Sequence, residues 1–255
     1  MTATLYSLAG RTAFISGAGH GIGRATALAL AARGAVVGIN DLKPEFVEDA
    51  VAAVRAAGGQ AIGLPCDVST RDGMREAVQR FAADAGRLDV MVNNAAWVRY
   101  QTVAEITPEV MDRMVEIGFK SVIWGIQAAA EAMDAERGGA IVNVASVAAF
   151  KAPMRSVVYS GIKAGVLGIT RAAAADLGAR RIRVNAVAPG AVPTEGTVRN
   201  RNAELDARRI ARTPLGRLGT VQDIADAIVF LASDEARFLN AEVLRLDGGA
   251  SETSL

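Results

Sequence analysis

The sequence predicts an α/β fold: a single-domain, doubly wound parallel sheet of the Rossmann type with helices on both faces. Three observations carry this. Short β-rich runs alternate with longer amphipathic ones along the chain. Strands such as "AIVNVA" are nearly continuous apolar runs, as a sheet covered on both faces requires. A glycine-rich loop joins the first strand to the first helix. In order, "TAFIS" leads to "GIGRATALALAARG", "AVVGIN" to "PEFVEDAVAAVRAAG" and "QAIGLPC" to "TRDGMREAVQRFAADAG". "LDVMVNN" precedes a helix over 110–129, and "GAIVNVAS" precedes one over about 157–178. "IRVNAVAP", a polar segment, "VQDIADAIVFLAS" and "EVLRLDGG" complete the series. Crossovers between parallel strands are right-handed, so an open sheet with its site at the strand carboxyl ends is the economical topology. Residues 1–255 read as one domain. The polar stretch 191–219 has no clear core pattern, follows a strand end, and is the candidate substrate lid.

Bulk properties exclude several classes of partner. Of 255 residues, 51% are hydrophobic, enough for a sizeable core. The balance of 28 basic against 27 acidic residues gives no electrostatic ground for binding nucleic acid or an anionic membrane. Apolar runs are broken well before the length of a membrane span. The single cysteine, Cys66, cannot form an internal disulfide, and "MTATLYSLAGRTAF" lacks the apolar stretch of a signal peptide. A reducing cytoplasm is the expected location, and no metal site is expected.

The loop "SGAGHGIGRA" places Gly17, Gly19, Gly21 and Gly23 between strand and helix. Glycines there let the backbone turn tightly and bring N–H groups to a pyrophosphate at the positive end of the helix dipole. Such a loop alone is also compatible with an ordinary βα turn. Asp41 shifts the balance, because a carboxylate at the end of the second strand can bind the adenosine ribose hydroxyls and repel a 2′-phosphate. NAD is therefore expected rather than NADP. His20, the only histidine, lies in the same loop and offers no fixed positive charge for that phosphate.

The glycine loop is followed in order by "CDV" at 66–68, "NNA" at 93–95, Ser146 after the fifth strand, Tyr159 with Lys163 in "YSGIK", "PG" at 189–190 and "DGG" at 247–249. With this ordered set the whole chain resembles the short-chain dehydrogenase/reductases. The resemblance implies a catalytic group of Ser146, Tyr159 and Lys163, and cofactor contacts at His20, Ile22, Leu42, Asp67, Val68, Asn94, Ala95, Pro189, Gly190, Val192 and Thr194. It also gives Lys163 and Tyr159 a place beside the nicotinamide ribose. The chemistry can be argued independently. Residues four apart share a helix face, and an ammonium beside a phenol favours the phenolate, which can act as general base for an alcohol or, protonated, as general acid for a ketone. Ser146 lies at a strand carboxyl end, where its hydroxyl can hold the substrate oxygen.

Two positions depart from the family pattern. "NNAAW" replaces the usual "NNAG", which puts Ala96 beside the cofactor path and Trp97 in the expected pocket wall. "EIGFKS" puts Gly118 where relatives usually carry an asparagine, credited with holding a water of a proton relay. A glycine on the apolar side of a helix costs about 1 kcal/mol relative to alanine, so it has a packing or a functional reason. An active enzyme with a backbone and water relay is the main expectation; a weakly active or non-catalytic NAD-binding module is the alternative. By resemblance the substrate pocket contains Trp97, Val98, Ala148, Phe150 and Met154, mostly apolar, which suits a cyclic, aromatic or medium-sized secondary alcohol or its ketone. The lid carries Arg199, Arg201, Arg208, Arg209, Arg212 and Arg217. These form either the solvated face of a lid helix or a site for an anionic substrate or acyl carrier protein, the latter making the protein a 3-oxoacyl thioester reductase. The resemblance further implies a homotetramer.

Overall fold

The computed structural model describes residues 5–196 and 202–253. Arg199 and Arg201 of the expected lid lie outside the described residues. Seven strands, β1 (Thr12–Ile15), β2 (Val36–Asp41), β3 (Gln60–Pro65), β4 (Val90–Asn93), β5 (Gly139–Val144), β6 (Ile182–Pro189) and β7 (Val243–Leu246), form one parallel sheet in the order β3-β2-β1-β4-β5-β6-β7. The order reverses between β1 and β4, and that divergence opens a crevice at the carboxyl ends.

The helices are α1 (Gly21–Ala32), α2 (Pro44–Ala56), α3 (Arg71–Ala85), α4 (Pro108–Val115), α5 (Ser121–Ala132), α6 (Val157–Leu177), α7 (Ala203–Ala211) and α8 (Val221–Ala232). Successive strand residues point to opposite faces, so each strand feeds two cores. Ile15, Ile39, Val92 and Val142 pack with Leu30 of α1 and Ile224 and Ile228 of α8. Phe14, Met91, Ile141 and Val184 pack on the other face with Phe81 of α3 and Ala128 and Ala129 of α5. The expected continuous helix over 110–129 is instead two helices joined by a π turn, Glu116–Lys120, centred on Gly118. The segment after β6 contains α7, a helix in the lid as one reading of its arginines expects.

A buried polar chain links the sheet to the helix behind it. Asn93 Nδ2 donates to Asn143 Oδ1 at 2.8 Å, Asn143 Nδ2 donates to Thr170 Oγ1 at 3.0 Å, and the Thr170 hydroxyl donates to Val166 O at 2.8 Å. All three side chains are buried, so deleting one strands its partners away from water. Asn143→Ala is expected to lower stability by about 1–3 kcal/mol in urea unfolding, whereas a loss below about 0.5 kcal/mol would show that the chain carries little weight.

Candidate active site

The phosphate loop is held by β4. Ser16 Oγ accepts the N–H groups of Asn94 and Ala95 at 3.0 and 3.1 Å, and Asn94 Nδ2 donates to Ser16 O and Gly17 O at 3.0 and 2.8 Å. Gly17 takes φ +61°, and a Cβ there would lie 2.8 Å from Ala95 Cα, so both backbone conformation and space demand glycine. Asp41, at the end of β2, accepts the Gly19 N–H at 3.2 Å, and its carboxylate lies 3.7 Å from His20 Nδ1. Burial alone would raise the Asp41 pKa. The contact with His20 and the N–H groups of Lys43 and Gly19 overcome it, so Asp41 ionises below its ordinary range. The Asp41 contact in turn raises His20 against the opposing effect of burial.

A cavity of about 680 Å³ runs from this loop to the ends of β5 and β6. At one end lie Asp41, Leu42, Phe46, Asp67 and Val68; Gly17, His20, Gly21 and Ile22 line the middle with Asn94 and Ala95. Ser146, Tyr159, Lys163, Pro189, Gly190, Val192 and Thr194 line the far end. Every sequence-predicted cofactor position except Gly19 faces this one cavity. At Gly19 a Cβ would press on Phe46 and Asp41.

The α1 N-terminus fits a pyrophosphate on the structure's own evidence. The Gly21 N–H donates to Glu195 Oε2 at 3.0 Å, so a carboxylate already sits where an anionic oxygen of a dinucleotide would be received. Neither the chain position of Glu195 nor its charge flagged this contact in the sequence.

At the opposite end, β5 and α6 place the three candidate catalytic side chains together. Lys163 is buried, and its Nζ donates to Val144 O at 2.7 Å. Ser146, two residues past Val144, accepts the Ala148 N–H at 3.1 Å, and its side chain lowers the pKa of Tyr159. Lys163 Nζ lies 5.9 Å from the Tyr159 ring centroid. The expectation that the lysine draws the phenol towards neutrality is not met in this arrangement. Burial dominates both groups, pushing Tyr159 up to about 12 against the smaller effect of Ser146, and Lys163 down to about 8. Each group is thereby held towards its neutral form.

Of the expected substrate-pocket residues, Trp97, Val98 and Ala148 line the cavity. Phe150 and Met154 do not. Phe150 lies under Arg245, whose guanidinium carbon is 4.8 Å from its ring, and Met154 is 90% exposed, because the turn before α6 carries both side chains away from the cleft. Val147, Pro153, Tyr100, Arg113 and Ile117 take their place. Tyr100 meets Tyr159 edge-on at 5.8 Å; the loop is set by Gln101 N–H donating to Arg155 O at 2.8 Å, a long-range contact with no local signal.

Gly118 is buried against α6: a Cβ there would lie 3.2 Å from Ile162 Cγ2, next to Lys163. The π turn is stitched by Ser121, whose N–H reaches back five residues to Glu116 O and whose hydroxyl donates to Ile117 O at 2.6 Å.

Comparisons with known proteins agree with this geometry. A family model described as enoyl-(acyl carrier protein) reductase matches residues 17–251. The chain belongs to the short-chain dehydrogenase/reductase family. It is 41% identical over 244 residues to the cis-4-hydroxycyclohexanecarboxylate dehydrogenase of Sinomonas cyclohexanicum, covering 95% of this chain and 97% of that one. It is 36% identical over 242 residues to the 3-oxoacyl-[acyl-carrier-protein] reductase FabG of Thermotoga maritima, covering 95% and 98%. A gluconate 5-dehydrogenase from Burkholderia cenocepacia J2315, solved in complex with NADP and tartrate, superposes with a TM-score of 0.93 at 32% identity, covering 98% of both chains. The short-chain dehydrogenase/reductase is thus an oxidoreductase acting on CH–OH groups with a nicotinamide cofactor.

The contact between Glu195 and the phosphate loop yields a direct test. Removing the charge while keeping the shape, Glu195→Gln, is expected to tighten NADH binding at least about threefold in a fluorescence titration, since a competing anion is lost. Unchanged affinity would mean that the carboxylate and the dinucleotide do not compete.

Proposed function

We propose that the protein transfers hydride between NAD(H) and a mainly apolar, ring-sized secondary alcohol or its ketone. The observation that carries this is the shared cavity, which brings Asp41 and the glycine loop at one end together with Ser146, Tyr159 and Lys163 at the other. Asp41 favours NAD, because an ionised carboxylate at the ribose repels a 2′-phosphate. A bound nicotinamide supplies or accepts the hydride at the reacting carbon. In reduction, the neutral Tyr159 hydroxyl donates its proton to the carbonyl oxygen while Ser146 holds that oxygen. In oxidation the same phenol must first lose its proton, and the nearby Lys163 amine, close to neutrality, helps to move it. Trp97, Val98, Ala148 and Pro153 exclude water and seat an apolar body, the segment containing α7 closes over it as the lid, and the cyclic hydroxy acid named for the Sinomonas relative fits that description.

Two other readings have specific support. The FabG relative and the arginines of α7 favour a 3-oxoacyl thioester reductase; Asp41 argues against it where such an enzyme relies on NADPH. Gly118 favours a slow or non-catalytic module, but a π turn stitched by Ser121 keeps the helix bend without a side chain at 118, so a relay through backbone and water needs none. A homotetramer is also proposed, supported by exposed apolar side chains at Ile123, Val157 and Phe238.

A substrate screen following NADH absorbance tests the reading. Tyr159→Phe is expected to lose at least about 100-fold in turnover while binding NADH normally, given the usual size of general acid–base effects. Undiminished turnover in that variant, or NADH binding with no alcohol or ketone consumed by the native protein, would refute it. The neutral phenol also fixes a pH signature. Alcohol oxidation, which needs the proton removed, is expected to accelerate from about pH 7 to about pH 10, whereas ketone reduction, which uses the protonated phenol, is not. Parallel pH profiles for the two directions would contradict the assignment of Tyr159.

A further inference from the structure

We propose that the substrate is an anion, an apolar ring bearing a carboxylate remote from its reacting carbon, and that Arg113 is the residue that selects for it. The proposal rests on the oxidoreductase reading of the cleft. It begins with how charge is divided along the cavity. The adenosine end carries Asp41 and Asp67 against Lys43, while the substrate end, beyond Ser146 and Tyr159, carries Arg113, Lys151 and Arg209 against Asp206. Asp206 is 3.5 Å from Arg209, which leaves two cations at the substrate end with no ion pair among the described residues, Arg113 and Lys151.

Arg113 has conventional partners within reach of its own helix and does not use them. Glu109 lies four residues before it and Glu116 three residues after it, the spacings at which helical ion pairs form. Among the described residues neither pairs with Arg113: Glu116 lies 4.0 Å from Lys120, and the Thr107 side chain holds Glu109 below the usual carboxylate range. The Arg113 guanidinium turns to the cleft and stacks on Trp97, its central carbon 4.4 Å from the ring centroid. Stacking fixes the plane of the group while leaving its edge N–H donors free, the arrangement that receives a carboxylate through two parallel hydrogen bonds. Trp97 is itself part of the apolar wall, so the cation is fastened to the surface that seats the substrate body.

A small carboxylate fits better than an acidic carrier protein. On the lid side, among the described residues, Arg208 pairs with Glu204 and Arg217 with Asp223, and Arg209, which also lines the cavity, pairs with Asp206. The unpaired guanidinium faces inward.

The test compares para-acetylbenzoate with para-acetylbenzamide, which match in shape and differ in charge, as ketone substrates with NADH. The carboxylate is expected to have at least about tenfold higher kcat/KM, about 1.4 kcal/mol. Arg113→Met should close that gap through KM with kcat little changed, Arg113→Lys should restore part of it, and Arg99→Ala, an exposed arginine outside the cavity wall, should leave it intact. Equal kcat/KM for the two ketones, or a gap that survives in Arg113→Met, would overturn the proposal. Binding of the same pair to the Tyr159→Phe protein with NADH, followed by fluorescence, reads the preference without turnover. A carboxylate preference there, lost in the Arg113→Met double variant, supports the proposal even if no ketone is reduced, in which case the oxidoreductase reading alone fails. Equal binding of the two overturns it.

Discussion

The arrangement of the cleft depends on one hydrogen bond in a dry place: Lys163 Nζ donating to Val144 O at 2.7 Å. Val144 is the last residue of β5 and Lys163 lies in the second turn of α6, so this bond fixes the helix to the sheet edge where the crevice opens. Ser146 follows two residues after that carbonyl, and Tyr159 one helical turn before that amine, so both inherit their positions from the same contact. Burial lowers the pKa of this amine to about 8, and a phenol in the same surroundings keeps its proton. Burial thus sets geometry and protonation together.

The second constraint is the packing of the helix pair α4 and α5 on α6. Gly118 has a packing reason, since Ile162 leaves a Cβ only 3.2 Å, and a local one, since it sits in a π turn. Gly125, about two turns later, is more tightly constrained still, because a side chain there would overlap Asn93 Oδ1. Both glycines bring α5 close to the polar chain that runs from β4 into α6. Arg113, in the last turn of α4 just before the π turn at 116–120, lines the cleft.

Much of this was legible in the sequence because it is local. Strand and helix alternation, the glycine loop, Asp41 at a strand end and the four-residue spacing of Tyr159 and Lys163 are each written within a few residues. What was not legible is what depends on contacts between distant segments or on burial. Tyr100 and Arg113 enter the cavity from a loop pinned to Arg155 and from the end of α4 where the π turn begins, and neither leaves a trace in hydropathy. Phe150 and Met154 failed as pocket residues because the turn that leads into α6 faces outward. The four-residue spacing shows that the lysine and tyrosine are close; the direction of their pKa shifts follows from desolvation, which spacing does not show.

The account turns on Tyr159 holding its proton in the free protein. Ultraviolet difference titration of the native protein against Tyr159→Phe, reading the phenolate band, measures this directly. The account predicts no ionisation assignable to Tyr159 up to about pH 10, the ordinary range of an exposed tyrosine. A Tyr159 phenolate forming near neutral pH in the free protein would contradict it and show that the Lys163 charge, rather than burial, governs the site.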